Sequence, residues 1–338
     1  MDYKTKMEQV IDPFLNQYRK EFYLEREAGK QLFCLNYRLP NPKGIMLISH
    51  GFTENEMKYK EVFYCFLKRG YSVYFLEHAG HGRSYRMVED LSMVYVDRFG
   101  RYVKDFLLLA HLAKGENPGK PLYLFGHSMG GGIAAAVVTR EPKLFEKVIL
   151  SAPMIRLYSA KYPWHEVKLL VRGACAAGKR KDYVMGYGPY EGPKPLEKSS
   201  SMREDQNNYY QEIRAEEPLF QTNGASYGWM HMAIRLHRYL MKKAPGRIRV
   251  PVLLFQAEKD HLVSNNSQEK FILKLREAGN LNAKLVRVPE AKHEVFNGTK
   301  EIRTVYWKKV FGFLEREITI CIIYIIFIIC YYKGWNKI

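Results

Sequence analysis

The stretch PLYLFGHSMGGGIAAAVV, residues 121–138, decides how the rest of the chain is read. LYLF reads as a short strand covered on both faces, and GGIAAAVV as a helix of small residues. Between them lies Gly126-His127-Ser128-Met129-Gly130, a G-x-S-x-G. A strand and a helix can turn back on each other this tightly only if the flanking residues are small. The turn strains the Ser128 backbone and lifts its hydroxyl above the carboxyl ends of the strands. It also aims backbone N–H groups at the helix start toward a developing oxyanion. A bare G-x-S-x-G is a common accident, but between a strand and a helix it marks Ser128 as a candidate nucleophile.

On either side the rhythm repeats. Residues 45–51, 72–82, 147–153, 250–260 and 283–293 each hold a short apolar run bounded by Gly, Pro or charge. Their continuous apolar character suits buried strands. Residues 58–69, 97–112 and 268–278 carry apolar side chains at helical spacing, among them Val62, Phe63, Phe66 and Leu67 in the first. Alternating strands and helices predict an α/β fold, a mostly parallel sheet with helices on both faces. Residues 31–39 are expected to add an antiparallel edge strand. Residues 154–248 break the pattern, with a segment rich in Gly, Pro and Lys, many tyrosines and a helical stretch at 227–241. The expected organisation is a core in two parts, 1–153 and 249–316, a cap insertion over 154–248, and an apolar tail over 317–338.

A serine hydroxyl needs a base, and the base needs an orienting acid. In such folds the acid and then the histidine follow the serine in the chain. Asp260 follows the strand VLLFQAEK and His293 follows KLVRVPEAK, each just beyond a strand's carboxyl end, on the rim that carries Ser128. Alone, either could be an ordinary turn or capping residue; together and in order they form a candidate triad. His50 and His81 compete as the base. His50 lies in a His50-Gly51-Phe52 turn after another strand, a loop suited to giving a second oxyanion donor, assigned here to the N–H of Phe52 beside that of Met129. His78 and His81 are three residues apart, but no carboxylate or cysteine cluster accompanies them, so no metal is expected.

These residues carry a resemblance. His50-Gly51, Gly80-His81-Gly82-Arg83-Ser84, the Gly126–Gly131 run, Asp260-x-x-Val263 and Lys292-His293-Glu294 resemble the monoglyceride lipase and lysophospholipase L2 branch of the α/β-hydrolases, often labelled serine aminopeptidase S33. The resemblance covers about residues 30–315. Gly224-Ala225-Ser226-Tyr227-Gly228-Trp229 is similar to a cap-helix stretch of the lysophospholipase L2 type. Glu77 stands where the family often has Asp. The resemblance implies hydrolysis of a lipid carboxylic ester, lysophospholipid or monoacylglycerol, through an acyl-enzyme and without a cofactor. A small-ester esterase or aminopeptidase-like hydrolase would use the same triad. A non-catalytic binding protein keeping the fold would be expected to have lost one of Ser128, Asp260 or His293.

Composition bounds the partners. The net charge is +18, yet no nucleic-acid motif appears, and a basic surface also suits an anionic membrane or substrate. The run Lys179-Arg180-Lys181 reads either as a solvated loop or as an attractor of phosphate head groups. Five scattered cysteines argue against a disulfide framework and fit a reducing compartment. The N-terminal segment has no apolar signal-peptide core, so a cytoplasmic location is expected. Residues 318–332, ITICIIYIIFIICYY, are uncharged. As a helix they would span about 22 Å, less than the hydrocarbon core of about 30 Å. They read as a short membrane anchor, as a packing segment, or as a non-native extension. The sequence gives no oligomeric state.

Overall fold

The computed structural model describes residues 1–159 and 162–315. The tail over 318–332 therefore lies outside the described residues.

Eight strands form one sheet: β1 (Arg19–Glu27), β2 (Lys30–Tyr37), β3 (Gly44–Ser49), β4 (Tyr71–Leu76), β5 (Leu122–His127), β6 (Lys147–Ser151), β7 (Val252–Ala257) and β8 (Ala283–Val288). Their order is β1-β2-β4-β3-β5-β6-β7-β8. From β4 to β8 all neighbours are parallel, while β2 runs antiparallel to both β1 and β4. The expected antiparallel strand near residue 31 thus exists, but β1 covers it and takes the edge. β1 escapes a reading by apolar runs because its sequence, RKEFYLERE, is mostly charged, as an edge strand's often is.

The buried strands show why continuous apolar runs are needed. In β3, Ile45 and Leu47 enter one core while Met46 and Ile48 enter the other; in β4, Tyr74 and Leu76 oppose Val73 and Phe75. Side chains alternate across the sheet, so both faces must be apolar. One face is covered by α2 (Gly100–Glu116), α3 (Ser128–Arg140), α6 (Tyr227–Lys243) and α7 (Asn265–Glu277). The other is covered by α1 (Lys60–Lys68), α8 (Lys300–Glu315) and the N-terminal turns. Helices α4 (Trp164–Ala176) and α5 (Glu204–Glu216) belong to the segment between β6 and β7. From the same segment, α6 lies against α3, with Trp229, Met232, Ala233 and Leu236 buried.

The chain leaves β3 toward β4 on one side and later places β5 on the other side of β3. This reversal opens a crevice beyond the carboxyl ends of β3 and β5, where α/β sheets bind ligands. His50-Gly51-Phe52 follows β3 there, and Ser128 follows β5.

Candidate active site

The turn at Ser128 has the expected strain. Its φ is +52°, a left-handed value that costs a residue other than glycine about 1–3 kcal/mol. A Cβ at Gly126 would sit 2.6 Å from the Gly130 carbonyl oxygen, and one at Gly130 would overlap the Ser49 carbonyl. The two glycines are thus required by close approach of helix to strand. Ser128 is 8% exposed, and its carbonyl accepts from the Met154 N–H at 2.7 Å, which ties the elbow to the segment after β6.

Asp260 and His293 meet. His293 Nδ1 donates to Asp260 Oδ2 at 2.7 Å. The other Asp260 oxygen accepts the N–H groups of Leu262 and Val263 at 2.9 and 3.1 Å. Burial works against the charged form of both. For Asp260, the His293 partner and the two N–H donors outweigh it and lower the pKa. For His293, burial is outweighed by the Asp260 carboxylate, with help from Glu294 and Glu54, and the pKa is raised. With Nδ1 committed to Asp260, Nε2 is the nitrogen left to act as base. It has no hydrogen-bond partner among the described residues. Such bonds often close only with substrate in place. The His293 ring centroid lies 4.8 Å from that of His127, the neighbour of Ser128.

The competing histidines have other duties. His50 donates from Nδ1 to the Gly51 carbonyl at 2.7 Å and accepts the His78 N–H on Nε2 at 2.8 Å. Both ring nitrogens are spent, and burial brings its pKa down to about 4. Burial likewise pushes the His81 pKa well below the ordinary histidine value. Neither has the carboxylate partner that His293 has. Among the described residues no group of three or more His, Cys, Asp or Glu could hold a metal ion.

The N–H of Phe52 makes no hydrogen bond among the described residues. That of Met129 belongs to the first helical turn, whose N–H groups have no partner within the helix. The Phe52 ring packs 4.2 Å from that of Trp229, centroid to centroid, which places an apolar wall beside the loop.

Sequence reasoning missed a buried chain of charges that ties this loop to His293. Glu54 accepts the Gly51 N–H and the Tyr59 hydroxyl, both at 2.6 Å. Lys58 lies 3.2 Å from Glu54 and 2.6 Å from Glu294, which in turn accepts from Asn297 at 2.8 Å. Burial would neutralise Glu54, but Lys58 and its other partners hold it ionised, and the two carboxylates raise the Lys58 pKa. His127 lies 3.6 Å from Glu54, but burial lowers its pKa to about 4, so this contact is not an ion pair. The four-residue spacing of Glu54 and Lys58 was the one available signal. Lys179–Lys181 form a single turn in which Lys179 and Lys181 are exposed and Arg180 is half-buried.

Known proteins agree with this architecture. A family model described as serine aminopeptidase, S33, matches residues 40–300. The chain is 27% identical over 310 residues to a probable lysophospholipase L2 of Haemophilus influenzae, covering 90% of this chain and 95% of that one. It is 26% identical over 289 residues to lysophospholipase L2 of Escherichia coli K12, covering 84% of each. Among solved structures, a monoglyceride lipase variant from Saccharomyces cerevisiae superposes with a TM-score of 0.67 at 18% identity, over 88% of this chain and 95% of that one. At that identity the likeness speaks for the fold alone. By the span of the family match and by its sheet, the chain belongs to the serine aminopeptidase S33 family and has the α/β-hydrolase fold.

Proposed function

We propose that the protein hydrolyses carboxylic esters of lipids, lysophospholipid or monoacylglycerol, through an acyl-enzyme on Ser128. The observation that carries this is the His293–Asp260 hydrogen bond beside a serine held at a left-handed elbow. His293 Nε2 takes the Ser128 proton as the oxygen attacks the ester carbonyl. Asp260 fixes the tautomer and offsets the imidazolium charge. The N–H groups of Phe52 and Met129 stabilise the oxyanion. His293 returns its proton to the leaving alcohol, then activates a water that releases the fatty acid. The named relatives and the Phe52–Trp229 wall support a lipid acyl group.

We read residues 154–248 as the cap over this crevice. Leu169 and Leu170 on α4 are 74% and 48% exposed, which suits work at a lipid interface. Among the described residues no helix is long and apolar enough to cross a membrane. Our reading of a cytoplasmic enzyme held at a membrane surface by residues 318–332 therefore rests on sequence. Flotation of the full chain against a form ending at Glu317 tests it, since equal partitioning would remove the anchor.

Ser128→Ala should cut ester hydrolysis by at least about 10³-fold and abolish labelling by a fluorophosphonate. A panel of lysophospholipids, monoacylglycerols, short esters and aminoacyl amides decides the substrate class. Turnover of the amides or short esters alone would overturn the lipid reading.

A further inference from the structure

At the far end of α3 from Ser128, three helices border a half-open cavity of about 560 Å³, within the range of small-molecule sites. It is lined by residues at and just before the start of α2, by the second half of α3 and by α6 from Met232 onward, and includes none of Ser128, Asp260 or His293. Phe99, Val103, Ala136, Met232 and Leu236 supply an apolar floor, each less than a tenth exposed. Arg98, Arg140, Arg235, Arg238, Lys242 and Lys243 stand around it, with no carboxylate in the lining.

None of these cations holds a carboxylate to itself. Arg98 contacts Asp97 at 3.3 Å, but that carboxylate is also engaged by Arg101 at 2.8 Å. The other five make no ion pair among the described residues. Helix dipoles give Arg140, Lys242 and Lys243 a structural reason, since each lies near a helix C-terminus. They give none to Arg235 and Arg238, which sit inside α6, three residues apart, with Lys242 four residues further on. Like charges at that spacing weaken a helix. The fold is therefore better off without them, whereas an anion seated among them would remove the repulsion. A mouth of one sign over a low-dielectric floor also concentrates anions.

We propose that this cavity binds the carboxylate of a long-chain fatty acid, with the chain on the apolar floor and the head among Arg235, Arg238 and Lys242. The choice of a fatty acid rests on the ester-hydrolase reading, under which the enzyme itself releases that amphiphile. Ala136, in the cavity floor, lies eight residues along α3 from Ser128, about 12 Å of helix. The site is thus separate from the catalytic crevice.

The test is photoaffinity labelling of the full chain with a diazirine-bearing palmitic acid, after capping the serine with a fluorophosphonate. Adducts are expected on residues 98–103 and 232–243. Palmitate should compete, whereas methyl palmitate and inorganic phosphate should not. Replacing the exposed Arg235, Arg238 and Lys242 together by Gln should lower this labelling about tenfold, with the melting temperature unchanged or slightly raised as the repulsion is removed. Adducts confined to the crevice, undiminished labelling of the triple variant, or equal competition by methyl palmitate or by phosphate would each overturn the proposal. A fluorophosphonate that leaves Ser128 unmodified would instead count against the hydrolase reading, and labelling of this cavity would still be measured.

Discussion

Helix α3 has a cluster of charge at each end, and the two are built on opposite terms. At its start, Glu54, Glu294, His293 and Asp260 are buried and Lys58 is half-buried, the two glutamates sharing Lys58 and Asp260 holding His293. At its far end Arg98, just before α2, and the cavity cations of α3 and α6 are exposed and share one sign. The difference follows from solvation. Water can stabilise an exposed guanidinium, so those groups are left open to a ligand. Beneath the surface an unpartnered charge is costly, so each is matched during folding. The first cluster holds geometry, and the second offers attraction.

The comparison can be broken most severely at Asp260. Asp260→Asn removes the charge that fixes His293, and kcat/KM should fall about 10³–10⁴-fold. The pH profile gives an independent reading. The base must be neutral, so kcat/KM rises with pH through the His293 pKa. In the wild type that pKa is raised by Asp260, so the rising limb lies above the ordinary histidine value. In the Asn variant the limb should move to lower pH. A limb that stays in place would show that Asp260 does not govern His293.

A smaller effect is expected at Lys58. Lys58→Met leaves Glu54 and Glu294 buried without their cation, and should cost about 3–5 kcal/mol of stability in denaturant unfolding. Adding Glu54→Gln and Glu294→Gln should restore much of it. Loss of stability in the triple variant equal to that in the single one would mean that packing of the Lys58 stem, and not charge, was lost.

Much of the frame was legible because each signal obeyed several constraints at once. The Ser128 elbow needed an apolar strand, small flanking residues and a helix, and all three stand in one short stretch. Asp260 and His293 stand out because each follows a short strand that carries an apolar run. The antiparallel edge was misplaced because β1 has no apolar run, and charge on an exposed face looks like a loop. The Lys58–Glu294 contact joins residues 236 apart in sequence, and nothing local marks either as a partner. The cavity escaped for a related reason: Arg98, Arg140 and Arg235 come from a loop and two separate helices, and each alone reads as solvated surface.

The two margins of the sheet have a consequence for how copies of this chain can meet. β1 carries Arg19, Lys20, Glu21, Glu25, Arg26 and Glu27 along one margin, and β8 presents Lys284 and Arg287 on the other. Charged side chains along an edge strand disfavour continuing the sheet into a neighbouring molecule. Strand-by-strand growth into fibrous aggregates is therefore opposed at both ends, and crowded molecules are left to meet through their helical faces.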